Sequence, residues 1–216
     1  MNGTSVSRAE PRVLVWDAPV RVFHWLMVGC FAGAWLTSDG ERWRLLHVTL
    51  GYTMGGLVAF RVLWGGVGTR HARFASFVRG PAAVARYALR LVEGQAEHHV
   101  GHNPAGALAI VAMLLLTAFS VGSGWAVYNE FGPELLEELH ELSGNGLMAL
   151  VVVHVFGVIV ASRLHHENLV RAMVSGYKPG PADEGIRRAW HGLAVVMLVA
   201  VATYWIWAWQ AAPPGP

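Results

Sequence analysis

The stretch at residues 138–164, ELHELSGNGLMALVVVHVFGVIVASRL, narrows the possible folds more than any other part of the chain. It is apolar over the roughly 20 residues a helix needs to cross the hydrocarbon of a bilayer. Four more runs have the same character, at about 20–37, 45–64, 106–128 and 189–209. Lipid offers backbone groups no hydrogen bonds, so a spanning chain must satisfy them internally. Long apolar runs without a two-residue alternation do so as helices. The fold class is therefore all-α, an integral membrane helical bundle with five candidate transmembrane helices. Composition agrees: 54% of residues are hydrophobic and only 14% charged, too few charges to solvate a soluble domain of this size. A formal charge of +2 gives no footing for nucleic acid.

The loops predict the orientation, because Lys and Arg collect on the cytoplasmic side. Arg8 and Arg12 precede the first run, and Arg70, Arg73, Arg79, Arg86 and Arg90 fall between the second and third. Arg171, Lys178, Arg187 and Arg188 fall between the fourth and fifth. The link YNEFGPELLEEL carries four Glu and no Lys or Arg, and SDGERWR sets Arg42 and Arg44 against Asp39 and Glu41. These biases place the N-terminus inside and the C-terminus outside. Met1 to Pro19 is polar and unlike a cleaved signal peptide, so the first run reads as a retained helix. Residues 1–19 read as a cytoplasmic segment, 20–178 as the four-helix membrane domain, 179–209 as a linker with the extra helix, and 210–216 as a disordered tail. GPAAVARYALRLVEG, about 80–94, predicts an amphipathic helix on the inner membrane surface, with Pro81 in its first turn.

Ionisable side chains inside lipid are costly and mark function. Of eleven histidines, His24, His47, His140, His154 and His191 lie in or at the edges of the apolar runs. With the predicted orientation, His47 and His140 fall toward the outer side and His24 and His154 toward the inner. His154 lies about 21 Å beyond His140 along one helix and projects from nearly the same face. One helix thus presents an imidazole at each of two levels, and the first two helices supply a partner for each. Two imidazoles with no Cys, Asp or Glu beside them favour haem over a bare ion, because a porphyrin provides the other four nitrogens. These four histidines are the expected axial ligands of the haem irons. Cys30 is the only cysteine and no C-x-x-C-H occurs, so any haem is held non-covalently.

Gly51, Gly55, Gly144 and Gly157 follow the candidate ligands within one or two turns and leave room for a flat macrocycle, or alternatively for close helix packing. Arg21, Arg61 and Arg163 are candidates for the inner propionates, with snorkelling to lipid headgroups as the alternative. His191 reads as an interfacial or packing residue. His71, His98, His99, His102, His165 and His166 read as solvated loop residues.

VWDAPVRVFHWLMVGCFAGAWL, LLHVTLGYTMGGLVAFRVLWGGVGTRHARF, GHNPAGALAIVAMLLLT and LHELSGNGLMALVVVHVFGVIVASRLHHENLVRAMVSG occur in order over about residues 12–178. They resemble the bacterial cytochrome b-561 family, which includes the b-type cytochrome subunit of nickel–iron hydrogenases. The resemblance implies a four-helix core with two haem b groups, one ligated by His24 and His154 and the other by His47 and His140. It also implies a bacterial plasma-membrane location and electron transfer between the quinone pool and a periplasmic dehydrogenase, hydrogenase or cytochrome c. The fifth helix lies outside the matched region.

Two other functions remain open at this point. A stand-alone superoxide:quinone oxidoreductase, similar to the superoxide-oxidising members of the family, would want a cationic outer mouth, and the outer links are acidic. A histidine-lined transporter or proton channel would need polar residues between the two levels, and the third and fifth runs offer little beyond Thr and Ser.

Overall fold

The computed structural model describes residues 11–95 and 99–211. Five helices are long and apolar enough to cross a membrane. They are α1 (Ala18–Leu36), α2 (Arg44–Val67), α5 (Pro104–Tyr128), α6 (Leu135–Leu164) and α8 (His191–Gln210). Three shorter helices join them: α3 (Phe74–Phe77), α4 (Pro81–Val92) and α7 (Leu169–Ser175). The expected amphipathic segment is thus found as α4, which packs against α5. The tail from residue 212 onward, together with Arg8 and His98, lies outside the described residues.

Local chemistry sets the helix starts. Asp17 caps α1 by accepting the Val20 amide at 2.8 Å, and Pro19 sits in the first turn, where a missing N–H costs nothing. Asn103 does the same for α5, accepting the Gly106 amide at 2.7 Å, with Pro104 behind it. Inside the spans, hydroxyls that lipid cannot solvate turn back on their own helix. Thr53 donates to the Thr49 carbonyl and Thr117 to that of Met113.

The helices pack in the order α1–α2–α5–α6, and α8 lies outside against α1 and α2. Trp205 of α8 donates to Thr53 of α2 at 2.9 Å, and Trp190 packs edge-on against Trp64. Helix α6 runs along α5 but makes little direct contact with α1 or α2, so the ring of four core helices has an open seam. Across it the bundle meets in one buried layer of Cys30, Leu50, Met54 and Leu147.

At one end two strands, β1 (Arg12–Leu14) and β2 (Tyr177–Pro179), form an antiparallel ribbon with Val13 opposite Lys178. No strand was expected, and the ribbon joins the segment before α1 to the linker after α7. Val13, Val15, Trp16, Val100 and Ala172 form a small core beneath it. Gly176 closes α7 at φ +89°, where a side chain would meet the Trp16 carbonyl. Lys178 and Glu167 form an ion pair at 3.1 Å, both side chains nearly buried. The opposite end, carrying the links Thr37–Trp43 and Asn129–Glu134, is the loop end.

Candidate functional site

At the loop end, His47 from the first turn of α2 and His140 from α6 face each other. Their ring centroids are 6.1 Å apart and their planes 83° apart. Each ring is tied by one nitrogen to a backbone carbonyl: His47 Nδ1 donates to Ala34 at 2.8 Å, and His140 Nδ1 to Ser120 at 2.9 Å. In a neutral imidazole that donor must carry the proton, which leaves Nε2 as a bare lone pair. Metal-binding histidines are commonly oriented in this way. Gly124 of α5 lies directly behind the His140 ring, where a methyl group would come within 2.6 Å of Cε1.

At the ribbon end, His24 of α1 and His154 of α6 lie within electrostatic reach of one another. Among the described residues, the buried side-chain nitrogens and oxygens without a hydrogen-bond partner are Arg21 Nε, His24 Nδ1, Arg61 Nη1 and His102 Nδ1. All four are nitrogens, and all sit at this end. Arg61 is buried rather than snorkelled, its guanidinium over the rings of Phe74 at 4.7 Å and Phe77 at 6.0 Å. Arg21 spends Nη1 on the Val174 carbonyl at 2.7 Å and leaves Nε unused. Arg163 is exposed in the last turn of α6.

Two histidines expected to be solvated are not. His71 is buried and donates from Nε2 to the Glu184 carbonyl at 2.8 Å. Burial pushes its pKa below the ordinary value, partly offset by that bond. His102 is wedged between Trp16 and Phe77, with ring centroids 4.5 Å from each. Burial, followed by the charge of Arg61, lowers its pKa to about 3. The reason is the ribbon, which folds over this loop and excludes water from it. The signal in the sequence was the adjoining Asn103–Pro104 pair, a helix start that fixes the residue before it. Gly124 and the Ser120 carbonyl had no such signal, since their role depends on the register between α5 and α6.

The glycines divide. A methyl group on Gly51, Gly144 or Gly157 would meet nothing within 4 Å, so open space adjoins them. At Gly55 it would lie 3.0 Å from Val121, which makes that glycine a helix-packing contact.

Five apolar helices, with histidines of α1, α2 and α6 gathered at two levels, define a polytopic membrane protein. Residues 15–176 match the family model described as prokaryotic cytochrome b561, and the chain belongs to that family. It is a membrane b-type cytochrome of electron transfer. A "Probable Ni/Fe-hydrogenase B-type cytochrome subunit" of Rhodobacter capsulatus is 26% identical, over 79% of this chain and 83% of its own. Its counterpart in Azotobacter vinelandii is 27% identical, over 82% and 92%. A "Probable Ni/Fe-hydrogenase 1 B-type cytochrome subunit" of Escherichia coli K12 is 25% identical, over 76% and 89%. No solved structure matches the chain.

The side chains fit a b-type haem. Two imidazoles trans across one iron, each nitrogen about 2 Å from the metal, would have ring centroids about 6 Å apart, and the loop-end pair stands at 6.1 Å. Among the described residues no cluster of three or more His, Cys, Asp or Glu could hold a bare ion. The unpartnered nitrogens at the ribbon end call for an anion, and a haem carries two carboxylates.

Proposed function

We propose that this chain carries two b haems, one ligated by His47 and His140 and the other by His24 and His154, and passes electrons across the bacterial plasma membrane. The ribbon end is cytoplasmic and the loop end periplasmic, in keeping with the distribution of Arg and Lys along the chain. Electrons move between a periplasmic partner and the quinone pool. The hydrogenase named for the relatives makes a hydrogenase the leading partner, ahead of another dehydrogenase or a cytochrome c.

A haem supplies a one-electron carrier; the chain's own residues fix where it sits and what reaches it. The carbonyls of Ala34 and Ser120 orient His47 and His140 so that Nε2 of each is free to ligate. His47 with His140, and His24 with His154, would hold the irons by two imidazoles each, which would leave the haems to carry electrons and not to bind oxygen. Arg21 and Arg61 offer donors to the inner propionates, and the exposed Arg163 is better suited to lipid headgroups. The layer of Cys30, Leu50, Met54 and Leu147 keeps the space between the levels dry.

The loop-end pair carries this reading, because its separation and its two carbonyl anchors together suit bis-imidazole ligation. The same apolar layer argues against a proton channel, which would need polar side chains there. A superoxide oxidase gains no support, since Arg44 faces Glu41 at 3.5 Å and Arg42 lies over Trp43 among acidic neighbours.

Reduced-minus-oxidised spectra and haem content of the purified protein test the proposal. Two low-spin b haems per chain are expected. His47→Leu and His154→Leu should each remove one haem, and retention of both in either variant would overturn the ligand assignment. Reoxidation of the dithionite-reduced protein by a soluble ubiquinone analogue tests the quinone step.

A further inference from the structure

His102 has no part in that scheme, yet it is the most tightly held of the unpartnered groups. Gly101 lies flat against His71, where a methyl group would come within 2.8 Å of Nδ1. Asn103 is committed to capping α5. Trp16 and Phe77 clamp the ring from two sides at 4.5 Å. Phe77 also underlies the Arg61 guanidinium, so His102 Nδ1 and Arg61 Nη1 are buried, unpartnered nitrogens sharing one aromatic neighbour. His102 is within electrostatic reach of both Arg61 and His154. His102 also lines a cavity of about 440 Å³, together with Arg70, His71, Arg79, His99 and Glu184.

Each buried donor left without an acceptor costs about 1–3 kcal/mol. Several other buried polar groups at this end are paired: Asp17 with three donors, His71 with a carbonyl and Lys178 with Glu167. With its proton on Nδ1, the His102 imidazole and the Arg61 guanidinium around the shared Phe77 ring suit one acceptor with two oxygens and negative charge, a carboxylate.

We infer that His102 anchors the inner haem: its Nδ1–H and Arg61 Nη1 together hydrogen-bond one propionate. This rests on the di-haem reading above. An anionic propionate favours the ferric iron, and donors that spread its charge offset that preference. His102 therefore raises the midpoint potential of the inner haem and leaves the outer one alone.

Potentiometric titration of the detergent-purified holoprotein, followed by optical spectra, tests this with His102→Phe, which fills the space without a donor, and His102→Gln, which retains one. In His102→Phe the ferrous–ferric equilibrium of one haem should shift about tenfold toward ferric, a fall of about 59 mV for one electron. His102→Gln should recover most of the shift, and the second haem should not move. Loss of one haem in the Phe variant with retention in the Gln variant also supports the anchor. Unchanged potentials in His102→Phe, or equal losses in both variants, overturn it. If the wild-type protein itself lacks a second haem, the di-haem reading fails first, which is a separate and visible result.

Discussion

Gly124→Ala isolates the most specific feature of the loop-end site. The added methyl would lie 2.6 Å from Cε1, 2.9 Å from Nδ1 and 3.4 Å from Nε2 of His140. Carbon atoms rest about 3.5–4.0 Å apart, so the imidazole must retreat by about 1 Å. It is held to the Ser120 carbonyl at 2.9 Å, and a retreat of that size carries the bond past its useful limit of about 3.2 Å. Losing the partner that orients a metal-binding histidine lowers affinity about 10–100-fold. Overpacking adds about 1–3 kcal/mol, while Ala in place of Gly within a helix returns up to about 1 kcal/mol. The thermal midpoint is thus a blunt readout and haem occupancy a sharp one. Gly122→Ala is the matched control, because a methyl there meets nothing within 4 Å. Haem content and the low-spin α-band should show one haem weakened or lost in Gly124→Ala and both retained in Gly122→Ala. If Gly124→Ala holds two low-spin haems at unchanged midpoints, the packing of α5 behind His140 does not support a ligand.

Two further outcomes follow from the ribbon end. Asp17 is fully buried and accepts from the Val20 amide, Trp64 Nε1 and Thr69 Oγ1. In Asp17→Asn one carboxylate oxygen becomes an NH2 that cannot accept, so at least one donor is stranded, at about 1–3 kcal/mol. Thermal unfolding in detergent should show the loss, and a midpoint equal to wild type would contradict it. His71 has a folded pKa below its ordinary value because burial disfavours the charge. On acidification the unfolded chain takes up that proton first. The stability it contributes is therefore complete above about pH 6.5 and falls below it, by at most about 1.4 kcal/mol per pH unit. A melting profile flat from pH 7.5 to 5.5 would refute this.

The spans were legible because lipid imposes one rule on every residue of a helix. The run expected at 20–37 is observed at Ala18–Leu36, and that at 189–209 at His191–Gln210. The facing of His47 and His140 was legible for a related reason, since depth and helical angle follow from residue number alone. What stayed hidden depends on contacts between distant segments. Nothing in VLVWDAP announces that Arg12–Leu14 pairs with Tyr177–Pro179, because a three-residue strand carries too short a pattern. The fate of the loop histidines followed from that omission: without the ribbon His71 and His102 are exposed, and with it they are interior. Arg61 was read as a choice between headgroup and propionate. Its burial over Phe74 and Phe77 excludes the headgroup, and the deciding residues lie 13 and 16 positions along the chain in a separate helix.

On the di-haem proposal, the distribution of packing explains how one bundle would provide for two cofactors instead of one. Leu147 lies midway between His140 and His154 on α6, and its buried neighbours Cys30 and Leu50 come from α1 and α2. Helix α6, which otherwise leaves an open seam toward the packed pair α1 and α2, therefore meets them in this layer. Above and below that depth, Gly144 and Gly157 adjoin open space in which, on that proposal, the cofactors would lie. Had α6 packed against α1 along its whole length, no room would remain at either level. Had it packed nowhere, the two levels would merge into one wet cleft, and charge inside it would be screened by water. A single apolar layer between two open levels keeps the seam accessible to cofactors while the interior remains a low-dielectric barrier to protons and ions. An electron can cross such a barrier by passing between carriers, whereas an ion would have to be stripped of its water to follow.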